Sequence, residues 1–259
     1  MTRRLPALLV AMAGAAGAGL AAPGRAAAGE VELSHAEDVL TGGQSGWRET
    51  ALRLDLTARD RPGLAAQASR VERFDRVDAA FSATASAPVG ERWVLSLDGG
   101  GSATHHVLPA LTAGARAQWA PGGGLVALAA GRLSRFRAVS GTTDVAVGTL
   151  GIERYLGAFR VSGTGFAATV SGAWGLSGAL AADVYFRERD RAGLVLSAGR
   201  ELESLGGGRV LVTGVRAVAV AGRSALGRSP WSVSWGAGVQ RQGKLYTRTG
   251  GHLGLVREF

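Results

Sequence analysis

Ser102 lies three residues before His105 and four before His106, the one place where the sequence forces a hydroxyl and an imidazole together. A Ser–His pair is the minimum of a nucleophile and its base, but it needs preorganisation and a third group to orient the imidazole. This pair spans a Gly-rich stretch with no carboxylate obviously placed for that role, so a solvated loop is the better reading. Adjacent histidines rarely share one metal ion, no HExxH follows, and the chain has no cysteine, so neither metal nor cofactor is expected. Gly163-Thr-Gly165 and Gly236-Ala-Gly238 could cradle phosphate only ahead of a helix, and neither precedes one. The balance of 29 Lys and Arg against 20 Asp and Glu is carried almost wholly by arginine, Lys244 being the single lysine. Stacking aromatics are not interleaved with clustered basic residues, so nucleic acid is not an expected partner.

The elements that must position these residues have a different rhythm from a soluble enzyme. Met1-Thr-Arg3-Arg4, the Ala/Gly-rich run Leu5–Leu20 and Ala26-Ala27-Ala28 form a signal-peptide pattern over residues 1–28. Its removal leaves a single domain, 29–259, with 26 basic residues against 20 acidic ones, or +6. No apolar run long enough for a membrane helix follows. From Glu30 onward the period is two: Trp231, Val233, Trp235, Ala237 and Val239 alternate with Ser232, Ser234, Gly236, Gly238 and Gln240. Fourteen strands are expected, at 31–39, 46–58, 63–74, 77–87, 92–101, 109–120, 124–137, 142–155, 157–169, 174–187, 191–202, 209–221, 229–241 and 244–259, or twelve if two weak edges fuse. Many of these reach the length of about 9–11 residues that a tilted strand needs to cross a bilayer. The fold expected is all-β, a single antiparallel transmembrane β-barrel.

In such a barrel the apolar face meets lipid and the polar face lines the interior. Thirteen of the sixteen aromatic residues fall within about three residues of an expected strand end, which points to girdles at both membrane boundaries. Trp47, Trp93, Trp119, Tyr155, Trp174, Trp231 and Tyr246 are the candidate interfacial aromatics. Charged residues inside strands must mostly avoid lipid, since an arginine at the midplane costs ~2–4 kcal/mol. Arg53, Asp55, Asp78, Asp98, Arg116, Arg160, Asp183 and Arg216 are therefore candidate interior charges, with Arg132 and Arg200 as further members. In 63–74 and 124–137 both phases are open. With the N-terminus in the periplasm, an even strand count returns the C-terminus there. The turns at 59–62, 88–91, 121–123, 156, 188–190 and 222–228 then face the periplasm, and 40–45, 102–108, 138–141, 170–173 and 203–208 face outside. None is long enough to be a plug domain.

The order and spacing of several short pieces resemble the YaiO family of outer-membrane barrels: Gly46-Trp47-Arg48-Glu49, Val71-Glu72-Arg73-Phe74, Glu153-Arg154-Tyr155-Leu156-Gly157, Tyr185-Phe186 with Leu194–Gly199, and the ending Gly251–Phe259. The resemblance runs over nearly the whole mature length. It implies a barrel of the Gram-negative outer membrane, an integral cell-envelope protein, with no enzymatic activity to carry over. The ending also resembles a barrel-assembly signature through Leu253, Leu255 and Phe259, with Arg257 standing where an aromatic is usual.

Three functions fit these readings. A passive or gated, porin-like conduit for small polar or anionic solutes has most weight, followed by a closed structural or interaction barrel and then by a lipid-modifying enzyme acting through Ser102 and His105. The expected partners are outer-membrane lipid, lipopolysaccharide and the barrel-assembly machinery. Arg241, Lys244 and Arg248 near one rim could contact lipopolysaccharide phosphates or simply be solvated.

Overall fold

The computed structural model describes residues 8–9, 29–56, 61–138, 141–187, 189–206 and 209–259. Fourteen strands make one closed antiparallel cylinder: β1 Glu30–Leu40, β2 Trp47–Asp55, β3 Gly63–Arg73, β4 Arg76–Val89, β5 Trp93–Ser102, β6 Leu111–Gly122, β7 Leu125–Ala138, β8 Gly141–Leu156, β9 Phe159–Val170, β10 Ala173–Tyr185, β11 Arg191–Gly206, β12 Arg209–Ala225, β13 Trp231–Gln242 and β14 Tyr246–Glu258. Each pairs with its sequence neighbours, and β14 closes on β1 from Arg248↔Leu40 to Glu258↔Glu30. Each expected segment corresponds to one of these strands, so the twelve-strand alternative falls. The backbones of Leu8 and Leu9 pair with Ser204 and Glu203 of β11. The rest of the expected signal peptide lies outside the described residues, as do 59–60, 139–140, 188 and 207–208 of the expected turns.

Alternation sets which way each side chain points. In β2, Leu52 and Leu54 are exposed on the outside while Ala51, Arg53 and Asp55 are shielded within. The two undecided segments settle the same way: Leu64 faces out and Gln67 in, Leu133 faces out and Arg132 in. Leu97, Leu150 and Leu253 are each about two-thirds exposed, at 68%, 70% and 65%, and belong to a continuous outward apolar wall. Buried on folding into a bilayer, such a wall supplies the stabilisation that a dry core supplies elsewhere.

Gly29, ahead of β1, and Phe259, after β14, lie at one mouth of the cylinder, here the terminal mouth, where they exchange two backbone hydrogen bonds of 3.0 Å. At the other, distal mouth the β3–β4 connection is the two residues Phe74 and Asp75, both with positive φ (52° and 58°). That conformation costs a non-glycine residue ~1–2 kcal/mol. It is held by an edge-on contact of the Phe74 ring with Trp47, centroids 5.4 Å apart.

Candidate functional site: the interior and its two mouths

The interior carries charge toward the terminal mouth. Arg160 of β9 lies beside its register partner Asp183 of β10, Nη2 to Oδ2 2.8 Å, and its Nη1 approaches Glu153 of β8 at 3.4 Å. Arg53 Nη2 reaches Asp55 Oδ2 at 2.8 Å. Arg223 of β12 donates to Glu30 and Glu258, both at 2.8 Å, cross-linking β12 to the β1–β14 seam. A further pair spans a strand because the residue between its partners is small. Asp98 of β5 receives Arg132 Nη2 of β7 at 3.0 Å, and the residue between them in the ladder is Gly114 of β6. A Cβ there would stand 2.6 Å from Asp98 Oδ1. Arg116, one row away on β6, also faces the interior and has no carboxylate within ion-pair distance among the described residues.

The distal mouth is narrowed by three devices. The first is a tethered loop. Asp78, on the inner face of β4 with no solvent exposure, accepts hydrogen bonds from the Thr104 hydroxyl (2.8 Å), the backbone N–H of His106 (2.8 Å), that of Val107 (2.7 Å) and that of Leu108 (2.8 Å). His106 Nδ1 stands 3.0 Å from the same carboxylate. One carboxylate thereby fixes residues 104–108 against the inner wall. The second device is an aromatic cluster. Trp47, buried to 3%, packs with Leu40, Tyr246 and Phe74, and the guanidinium groups of Arg73 and Arg248 lie 4.8 and 4.9 Å from its ring centroid. Cation–π contacts of this kind suit arginine where water is partly excluded.

The third device is the β11–β12 hairpin. Pairing of β10 with β11 ends at Ser177↔Gly199, yet β11 and β12 stay paired to Gly206↔Arg209. Beyond Gly199 the hairpin leaves the wall and leans inward, so that β11 touches β9 and β8, to which it is not hydrogen-bonded. Leu202, 1% exposed, packs there with Phe136, Val145, Ala168 and Val170, all on inner faces. Gly175 makes room for the crossing, since a Cβ would meet Arg200 O at 2.8 Å.

These positions correct several sequence expectations. Trp47, Tyr155 and Tyr246 do not face the lipid. Their phase is that of Ala51, Glu153 and Arg248, so they turn inward, and the Tyr155 hydroxyl donates to Glu153 at 3.4 Å. Trp93, Trp119, Trp174 and Trp231 are exposed on the outer wall, and Trp93 and Trp119 are register partners with rings 6.2 Å apart. Arg216 is exposed on the outward face, in phase with Val218 and Val220, and Arg200 is exposed past Gly199, on the hairpin that has left the wall. Arg53, Asp55, Asp78, Asp98, Arg116, Arg160 and Asp183 are placed inside. The expected rim trio divides: Arg248 turns in toward Trp47, while Arg241 and Lys244 are exposed. Leu253, Leu255 and Phe259 are exposed outside, and Arg257 covers the Trp231 ring at 5.7 Å.

Nor are Ser102 and the histidines arranged as a nucleophile and base. The Ser102 hydroxyl donates to Ala79 O at 3.0 Å and accepts the His105 backbone N–H at 3.0 Å. The serine ties the loop root to β4.

The YaiO membrane β-barrel domain matches residues 28–203, which is more than half of the sequence and covers β1 to most of β11. The chain belongs to the YaiO family. As a YaiO barrel it is an integral, multi-pass protein of the outer membrane. No curated protein matches it. Among solved structures, a bacterial polysaccharide outer-membrane secretin is similar with a TM-score of 0.55 at 7% identity, covering 90% of this chain and 99% of that one. An anion-selective porin from Comamonas acidovorans gives 0.53 at 8% identity over 89% and 98%. The outer-membrane OmpT of Vibrio cholerae gives 0.52 at 8% over 91% and 99%. At such identities the likeness establishes the shared barrel fold, and the YaiO interior must be read from its own residues.

The interior features that sequence reasoning missed are Arg223 with Glu30 and Glu258, the Asp78 tether and the folded-in hairpin. Arg223 shared the inner phase of Ala217, Ala219 and Ala221 and was legible. The other two depend on backbone donors and on a departure from the wall, which leave no trace in alternation.

Proposed function

We propose that this barrel is a conduit for small polar solutes with a preference for anions, and that its distal mouth is the gate. The observation that carries the reading is the interior charge: Arg132–Asp98 and Arg160–Asp183 pair on the inner face, and Arg116 adds a positive charge that no carboxylate among the described residues pairs with. Charges lining an aqueous path set ion preference in this way. An anion-selective porin has the same fold, and the interior arginines are what support extending that property to this chain. Purified protein in planar bilayers is expected to give discrete conductance steps with a reversal potential favouring the anion. A bilayer that stays sealed at every voltage overturns the conduit.

A second reading, a closed structural barrel without transport or catalysis, is favoured by the tethered loop 104–108 and the Leu202 hairpin, both of which occupy the distal mouth. It predicts a sealed bilayer for the native chain. In either case the terminal mouth faces the periplasm and residues 1–28 are removed on export. Lipopolysaccharide meets the distal part of the wall, and the strand ending in Leu253, Leu255 and Phe259 engages the assembly machinery.

A further inference from the structure

Outward charges near the distal mouth come in two kinds. On β1 to β3 and on β7 to β8 they mostly neutralise one another: Arg48 with Glu37 at 3.0 Å, Arg70 with Glu72 at 3.6 Å, Arg135 with Asp144 at 2.8 Å, with the lone Arg137, opposite Thr142, as the exception. On β12 to β13 they do not. Arg216 of β12 and Arg241 of β13 are direct register partners, both exposed. No acidic residue occupies the outward phase of β11, β12, β13 or β14 among the described residues, and neither arginine forms an ion pair there. Arg241 Nε donates to Gly243 O at 3.3 Å, leaving its terminal nitrogens for a ligand.

Like charges directly opposite on a sheet repel one another, so this pairing is unfavourable unless an anion sits between them. The surroundings say what kind of anion. Two residues toward the membrane centre the outward row is Leu196↔Val218↔Val239, all exposed, and Gly214, two residues from Arg216 on the mouth side, has open space where a side chain would stand. Two exposed arginines bordered by an apolar row match an amphiphile with phosphate at the head and acyl chains below. Arginine forks suit phosphate oxygens in particular.

We propose that Arg216 and Arg241 form a site on the outer wall for the phosphate groups of an anionic glycolipid in the surrounding leaflet. This rests on the proposal that the distal wall meets lipopolysaccharide, and it is independent of whether the interior conducts.

Native mass spectrometry of the detergent-solubilised barrel tests it, with bis-phosphorylated lipid A, its dephosphorylated form, phosphatidylethanolamine and inorganic phosphate as probes. Lipid A is expected to remain bound to the native chain and to bind at least tenfold more weakly to the Arg216→Gln/Arg241→Gln variant. Arg135→Gln, on the self-neutralised side, should bind as the native chain does. Equal retention by the double variant overturns the site, and so does equal binding of dephosphorylated lipid A. Displacement of lipid A by millimolar inorganic phosphate overturns the lipid as the ligand. Heat-modifiable migration of each variant on gels establishes that it is folded. Conductance in phosphatidylcholine bilayers, unchanged by the double variant, separates a failure here from a failure of the conduit.

Discussion

Arg132 reaches Asp98 across an intervening strand, Nη2 to Oδ2 3.0 Å, over the bare backbone of Gly114. Gly114→Val places a side chain against Asp98 Oδ1 and breaks this pair. Overpacking of this kind costs about 1–3 kcal/mol, so the urea midpoint in detergent should fall while the folded barrel still forms. An unchanged midpoint means the row has slack that the structure does not show.

Asp78 is the main anchor for residues 104–108, and hydrogen bonds to a charged acceptor contribute about 1.5–3 kcal/mol each to the groups they hold. Asp78→Ala leaves the donors of His106, Val107 and Leu108 without their acceptor. Amide exchange over 103–110 is expected to accelerate by at least tenfold, with the wall strands little affected. Unaltered exchange there rules out the tether.

If Leu202 holds the β11–β12 hairpin inside the distal mouth, a carboxylate in its place will expel it, because an unpaired charge among Phe136, Val145 and Val170 is strongly unfavourable. Leu202→Asp should therefore raise single-channel conductance and open the hairpin to trypsin at Arg209. A conductance identical to that of the native chain shows that the hairpin does not limit the path.

Ser102→Ala and His105→Ala separate the structural use of these residues from a catalytic one. Cells carrying either variant are expected to keep the lipid profile of the native strain, and Ser102→Ala should speed exchange at the loop root, where its hydroxyl bridges Ala79 O and the His105 N–H. A lipid species that disappears with either substitution would restore the enzyme reading.

The cylinder was legible because alternation is the direct imprint of a wall with lipid on one side and water on the other. Phase was legible wherever one face was clearly apolar, as with Leu52 and Leu54 against Arg53 and Asp55. It failed for Arg216, where Leu211, Val215, Ala217 and Ala219 make the inner face as apolar as the outer one. Trp47, Tyr155 and Tyr246 were placed by distance from a strand end, although their phase already assigned them to the interior. Proximity to the boundary and direction across the wall are separate coordinates, and aromatic placement needs both. The Asp78 tether was beyond reach of the sequence, since three of its partners are main-chain groups almost thirty residues away that any side chains could have accompanied.

The hydrogen bonds between Gly29 and Phe259 make the residue that follows β14 part of the same seam as the residue that precedes β1. No shorter N-terminal fragment can enclose a volume: every partial product is a curved ribbon with two unsatisfied edges, one of them β1, waiting for a mate more than two hundred residues downstream. Circularisation thus waits for the synthesis of β14, and a nonsense mutation anywhere upstream of that strand yields an open sheet with no means of sealing itself.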